Sequence, residues 1–225
     1  MKSAGKNVWI AEQDQIAFGV NLGTRMTLIK SETNNDLLAH SPIKPSKKLI
    51  NEISKQGDLK WIVGPNKFHH LYIDSFRDAF PEAKVFLAPG LKEKRNDIAD
   101  AKEILSKHKY PWSDLLDFHV VHGAPLLNEV VFFHKTSKSL IVTDLGLNFG
   151  SHSPLKTRIF AKIFLTYNKF GWSKLEKMLF IKDRSLFKES LEKILLWDFE
   201  QILLPHGEIV TSNAKEQFQK AFNIY

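Results

Sequence analysis

Leu59-Lys60-Trp61-Ile62-Val63-Gly64-Pro65-Asn66-Lys67-Phe68-His69-His70-Leu71 is a strand followed at once by residues that carry chemistry. The apolar residues between Leu59 and Val63 predict a buried strand, and its exit leads to Asn66, His69 and His70. Neighbouring side chains point to opposite faces of a strand and diverge by about 100° on a helix. Only one of the two adjacent histidines therefore reaches a given point unless the backbone turns between them.

The same arrangement recurs outward along the chain. Leu37-Leu38-Ala39 ends in His40, Ile141-Val142-Thr143 ends in Asp144, and Ile202-Leu203-Leu204 leads to His206. Four strand exits thus carry ligand-type residues. The carboxyl ends of strands in α/β sheets are where loops converge on one crevice. A single histidine or aspartate at such a place usually satisfies a neighbouring backbone group, so the signal lies in the four together. His122, before Gly123, stands at a further strand exit.

Composition narrows the chemistry. The 225 residues are 43% hydrophobic and 25% charged, with 11 Gly and 9 Pro, which is the make-up of a folded globular chain. There is no cysteine, so disulfides, thiolate zinc sites and cysteine nucleophiles are excluded, leaving imidazole and carboxylate for any metal. No uninterrupted hydrophobic run exceeds four residues, and neither a membrane span nor a signal peptide is expected. Cytoplasmic residence is the default. With 32 Lys plus Arg against 25 Asp plus Glu, the charge of +7 favours acidic partners.

Periodicity predicts strands at Val8 to Ala11, Ile16 to Val20, Met26 to Ile29 and Leu37 to His40, then a helix opened by Pro45-Ser46 and closed near Gly57. Beyond Val63, a helix over His70 to Phe80, a strand at Lys84 to Ala88 and a helix around Ile98 to His108 give an α/β rhythm. Strands follow at Phe118 to Val121, Val130 to Phe133 and Leu140 to Thr143. Residues 153 to 197 read as helical, before a last strand at Ile202 to Leu204 and a C-terminal helix. One domain over 1–225 is expected.

Dinucleotide, P-loop, serine-elbow and His-Glu-x-x-His motifs are absent. Lys156 to Lys182 carries seven basic residues and one acid, interleaved with Phe160, Phe164, Tyr167, Phe170 and Trp172. Such a segment suits nucleic acid or an anionic membrane surface. The plainer expectation is an amphipathic segment whose aromatic face packs on the core.

Leu38-Ala39-His40-Ser41-Pro42, Gly64-Pro65-Asn66-Lys67-Phe68-His69-His70-Leu71, Phe80-Pro81-Glu82-Ala83-Lys84-Val85-Phe86, Ala88-Pro89-Gly90-Leu91, Glu129 to His134, Leu140 to Leu145 and Leu204-Pro205-His206-Gly207-Glu208 follow one another in an order that resembles the metallo-β-lactamase superfamily. Its closest likeness is to the uncharacterised branch known as a domain of unknown function in bacteria and plants. The resemblance implies an α/β fold, the αββα four-layer sandwich, with a site at one edge of the paired sheets. Asp144 matches the family's metal-bridging aspartate and His206 its final histidine. The main His-x-His-x-Asp-His motif is not intact: Asn66 replaces its first histidine, Phe68 its second, and His70 takes the aspartate position.

Two functions follow from this resemblance. One is a hydrolase with a reduced, mononuclear site, in which His69, His70, Asp144 and His206 are the candidate metal ligands and Asp144 and His70 the candidate catalytic pair. His40, Asn66, Glu129 and His122 are then candidates to orient a small, acidic substrate. The cofactor is one divalent metal, zinc ahead of iron, and attack falls on an ester, thioester, amide or phosphoester. The alternative is a non-catalytic lactamase-fold binding module with a degenerate site and no metal. Nucleic acid ranks last among partners.

Overall fold

The computed structural model describes residues 1–106 and 108–223. The first half contains β1 (Lys2–Gly5), β2 (Val8–Gln13), β3 (Ile16–Ala17), β4 (Val20–Asn21), β5 (Thr24–Lys30), β6 (Asp36–His40), α1 (Lys47–Gln56), β7 (Asp58–Gly64), α2 (Ile73–Ala79), β8 (Lys84–Leu87), α3 (Leu91–Lys94) and β9 (Lys102–Glu103). The second contains β10 (Leu116–Val120), β11 (Val130–His134), β12 (Ser139–Ile141), α4 (Leu155–Ile163), α5 (Lys174–Phe180), α6 (Arg184–Leu195), β13 (Gln201–Leu203) and α7 (Ala214–Phe222). A seven-stranded sheet runs β1-β2-β5-β6-β7-β8-β9, antiparallel as far as β6 and parallel beyond it. A four-stranded sheet runs β10-β11-β12-β13, with only the last pair parallel.

Strand alternation sorts the side chains into three cores. Trp61 and Val63 of β7 and Leu38 of β6 pack between the sheets against Phe132, Ile141 and Leu203. Ile62, Leu37 and Ala39 point the other way, onto Leu49 and Ile53 of α1 and Phe76 of α2. Behind the smaller sheet, Val131, Leu140 and Ile202 meet Phe187 and Leu191 of α6 and Phe218 of α7. Helices cover both outer faces, which is the αββα sandwich.

Ser46 caps α1 as its position predicts, its Oγ accepting from the Leu49 N–H at 3.1 Å. Three sequence expectations need correction. Ile16 to Val20 is not one strand but the hairpin β3–β4, folded back at Phe18 and Gly19, both with positive φ. Residues 153 to 197, read as helical, form three helices, and residues 164–173 lie outside them. The helix expected around Ile98 to His108 is absent among the described residues, and Lys107 lies outside them. Lys102–Glu103 pairs with β8 instead, and the Tyr110 hydroxyl accepts the Leu105 N–H at 2.7 Å, removing a donor that a helix would use.

Phe132 is fully buried between the sheets, whereas Phe18 is 86% exposed. Phe132→Ala should cost about 3–5 kcal/mol and Phe18→Ala less than about 0.5 kcal/mol. Urea unfolding of the two variants checks this, and equal losses would contradict the sandwich core.

Candidate metal centre

Three loops leaving strand ends bring His69, Asp144 and His206 together. His69 Nε2 and His206 Nε2 lie 3.2 Å apart. Asp144 presents Oδ2 to His69 and Oδ1 to His206, each at 3.4 Å. Each of the three offers a ligand atom within 4.8 Å of the other two.

Asn66 explains why His69 and not His70 turns inward. Its Oδ1 accepts the N–H groups of both Phe68 and His69 at 2.8 Å, bending the chain directly after β7. Its Nδ2 donates to Asp144 Oδ2 at 2.8 Å and to Thr143 Oγ1 at 2.9 Å. Asn66 is fully buried and so orders the centre from beneath. His70 is carried to the other side of the turn, where Arg95 donates to its backbone carbonyl at 3.0 Å. Burial, with Lys94 and Arg95 nearby, lowers its pKa to about 4. Of the two adjacent histidines, between which the sequence left the choice open, His69 enters the three-residue group and His70 lines the cleft outside it.

Glu129, also fully buried, accepts the N–H groups of Thr143 at 2.6 Å and Leu145 at 2.9 Å and so clamps the turn that carries Asp144. Burial, then the charge of Asp144, raises its pKa to about 7 against the hydrogen bonds it accepts. Asp144 moves the other way. Burial alone would raise it, but His69 and His206 hold its carboxyl far below the usual range.

The 204–207 loop is tied to the other sheet. Arg25 of β5, nearly buried, donates to the carbonyls of Leu204 and, at 2.8 Å, of Gly207, while its ion pair with Glu12 at 2.6 Å holds the guanidinium in place. Gly207 sits at φ +95°, and a Cβ there would collide with the backbone of Asn148. Neither Arg25 nor Glu12 falls in a motif, and their role could be read only from the fold.

His206 Nδ1 lies 2.8 Å from the Gly23 carbonyl. A carbonyl only accepts, so Nδ1 carries a proton, and a metal would be held through Nε2, which faces the other two groups. His69 Nδ1 lies 2.7 Å from Ser41 Oγ, a hydroxyl that can donate or accept. His69 can therefore also present a lone pair. Metal bonds of about 2.0–2.2 Å in a tetrahedron put ligand atoms roughly 3.3–3.5 Å apart. The donor types and their spacings fit a divalent metal. Ser41, within one of the stretches quoted above but not singled out, is the site residue that sequence reasoning missed; its positive φ of 54° at the exit of β6 turns the hydroxyl toward His69.

Two further candidates lie elsewhere. His40 is 2% exposed, its ring against Phe132 and its Nε2 without a partner, so it belongs to the core behind Ser41. His122 is exposed beside His119, with its backbone N–H on Ser190 Oγ, away from the cleft. Phe68 is 48% exposed and packs edge-on against Phe180 at the cleft wall.

The sequence model of the DUF4336 family, described as a domain of unknown function, matches residues 5–166. The chain belongs to this family. Among solved structures, the DUF4336 chain is similar to a metallo-β-lactamase from Pontibacter korlensis (TM-score 0.65, 10% identity, 100% of this chain and 98% of the other). It is similar also to one from Hirschia baltica (0.65, 10%, 99% and 95%) and to FIM-1 from Pseudomonas aeruginosa in its mono-zinc form (0.65, 12%, 99% and 93%). At such identity the likeness establishes the fold, a metallo-β-lactamase sandwich, and not the activity. No curated protein matches the sequence.

Burial lowers the His40 pKa to about 3, with the neighbouring His69 adding to the shift. The unfolded chain, with its imidazole near 6.5, binds the proton first, so stability is complete above about pH 6.5 and falls toward pH 3, by up to ~1.4 kcal/mol per pH unit for one proton. His70, His119 and His134 shift in the same direction. His40→Leu should flatten the pH dependence of urea-unfolding free energy between pH 6.5 and 4 by about one proton. Parallel curves for variant and wild type would contradict the buried, neutral imidazole.

Proposed function

We propose that this chain, as a single domain over 1–225, is a metal-dependent hydrolase with a mononuclear centre on His69, Asp144 and His206. The observation that carries the reading is the approach of the two Nε2 atoms to 3.2 Å beside a carboxylate. Two imidazoles and one carboxylate suit zinc ahead of iron. Such a metal supplies Lewis acidity, polarising a carbonyl or phosphoryl group and bringing the pKa of water near neutrality.

The chain's own residues do the rest. Gly23 and Ser41 hold the two imidazoles in orientation, and Asn66 and Glu129 hold the Asp144 loop. The centre opens into a cleft of about 720 Å³ whose walls include Phe18, Leu22, Phe68, Leu147 and Phe180, so the substrate has an apolar part. Lys67 and Lys94 stand at its edge, where they would attract an acidic group. His70, at the cleft wall, is placed to orient substrate rather than to bind metal. An ester, thioester, amide or phosphoester of a small amphiphilic acid fits these walls.

The second reading, a lactamase-fold binding module without turnover, draws support from Asn66, which stands where the resemblance expects the first metal-binding histidine. Hydrolysis of a panel of chromogenic esters, thioesters, amides and phosphoesters separates the two. Wild type should turn over at least one class, with loss on chelation and recovery with zinc. His69→Ala and His206→Ala should fall by more than about a hundredfold, and Ser41→Ala, which loosens one ligand, by roughly 10–100-fold. His70→Ala should retain the chelator sensitivity. No turnover across the panel, with or without added zinc, would favour the second reading.

A further inference from the structure

The segment between Leu155 and Lys182 does not bury its apolar residues as an ordinary amphipathic segment would. Phe170 and Trp172 enter the core, but α4 buries only Thr157 and Ala161, and α5 buries nothing. Leu155, Ile159 and Ile163 are 64%, 51% and 72% exposed. At about 100° per residue, Ile159 lies roughly 160° from each buried position, so the stripe points directly away from the protein. Lys156 and Lys162 flank it at about 60° on either side. On α5, Leu175, Met178 and Leu179 form a second stripe, all more than half exposed.

Lys177 donates to the Ala221 carbonyl at 2.6 Å and Lys162 lies over the Tyr167 ring at 5.0 Å, but the segment's lysines have no anionic partner among the described residues. Among the described residues, Lys156, Lys162, Lys169, Lys174 and Lys182 form no ion pair, and the single acid, Glu176, closes the capping box of α5 on Ser173. The β3–β4 hairpin is held to α4 by the Thr157 hydroxyl, which donates to the Asn21 carbonyl at 2.6 Å, and its exposed tip, Phe18, lines the cleft together with Leu179 of α5.

We propose that α4, α5 and the tip of the β3–β4 hairpin form a docking surface for an anionic lipid bilayer. Outward aliphatic stripes flanked by lysines are the pattern of a helix that lies in the headgroup region, with the aliphatic side chains inserted and the ammonium groups on lipid phosphates. No helix among the described residues is long and apolar enough to cross a membrane, so the contact is interfacial. A second copy of the chain fits less well, because a twofold interface would set these lysines against their own images. Nucleic acid fits less well too, since aliphatic side chains supply neither stacking platforms nor base contacts.

Vesicle co-sedimentation tests this on the whole chain. Wild type should bind phosphatidylcholine vesicles containing phosphatidylglycerol, and binding to pure phosphatidylcholine, or in ~0.5 M salt, should be weaker by roughly tenfold or more. The double variant Ile159→Asp, Ile163→Asp should lose binding, and Lys156→Glu, Lys162→Glu should lose it while leaving the aliphatic stripe intact. Thermal melts identify any variant that fails to fold, in which case the other pair decides. No binding of wild type to the anionic vesicles, unchanged binding by both folded variants, or a dimer in sedimentation equilibrium that either pair dissolves would overturn the proposal. Binding to single-stranded RNA without vesicle binding would overturn it as well.

Discussion

Two imidazole Nε2 atoms 3.2 Å apart, with a carboxylate beside them, make up the constraint around which the cleft is built. Such an arrangement is electrostatically incomplete without a cation or a proton between its members. Each member is locked by a partner behind it, and those partners come from both sheets. Gly23 orients His206, Ser41 orients His69, and Asn66 with Glu129 orients Asp144. Arg25 anchors the His206 loop across the gap between the sheets. The sandwich thus serves as the frame that holds three separate loop ends together.

Much of the frame can be read in the sequence, because a short apolar run between polar turns leaves few alternatives to a buried strand. Val8 to Ala11, Leu37 to His40, Leu59 to Val63 and Val130 to Phe133 all fall in strands, as do the first two residues of the run Leu140 to Thr143. What escaped was structure fixed by partners distant in the chain. Lys2–Gly5 has no apolar pattern and is a strand only because β2 offers it an edge. Ile98 to His108 reads as a helix, yet β8 pairs with Lys102–Glu103 and the Tyr110 hydroxyl takes the Leu105 N–H.

At the site, the strand exits at Val63, Thr143 and Leu204 mark where chemistry collects; the exit at His40 contributes Ser41 rather than the histidine, and the exit at Val121 does not join it. Periodicity cannot distinguish these cases, since a histidine at a strand end reads the same whether its ring enters the core or a crevice. The choice between His69 and His70 has a local cause. Both N–H groups of Phe68 and His69 fold back on Asn66, and that turn selects the residue that faces Asp144. Asn66, which stands where the resemblance expects a metal-binding histidine, therefore builds the turn that brings His69 to Asp144.

The most direct test of this account is a crystal structure of protein loaded with excess zinc, with anomalous diffraction collected on both sides of the zinc edge. One anomalous peak is predicted, about 2.0–2.1 Å from Nε2 of both His69 and His206 and about 2.0–2.2 Å from a carboxylate oxygen of Asp144. Two fully occupied metals in the cleft, a metal held by His70, or His69 and His206 joined by a direct hydrogen bond with no peak between them would contradict it.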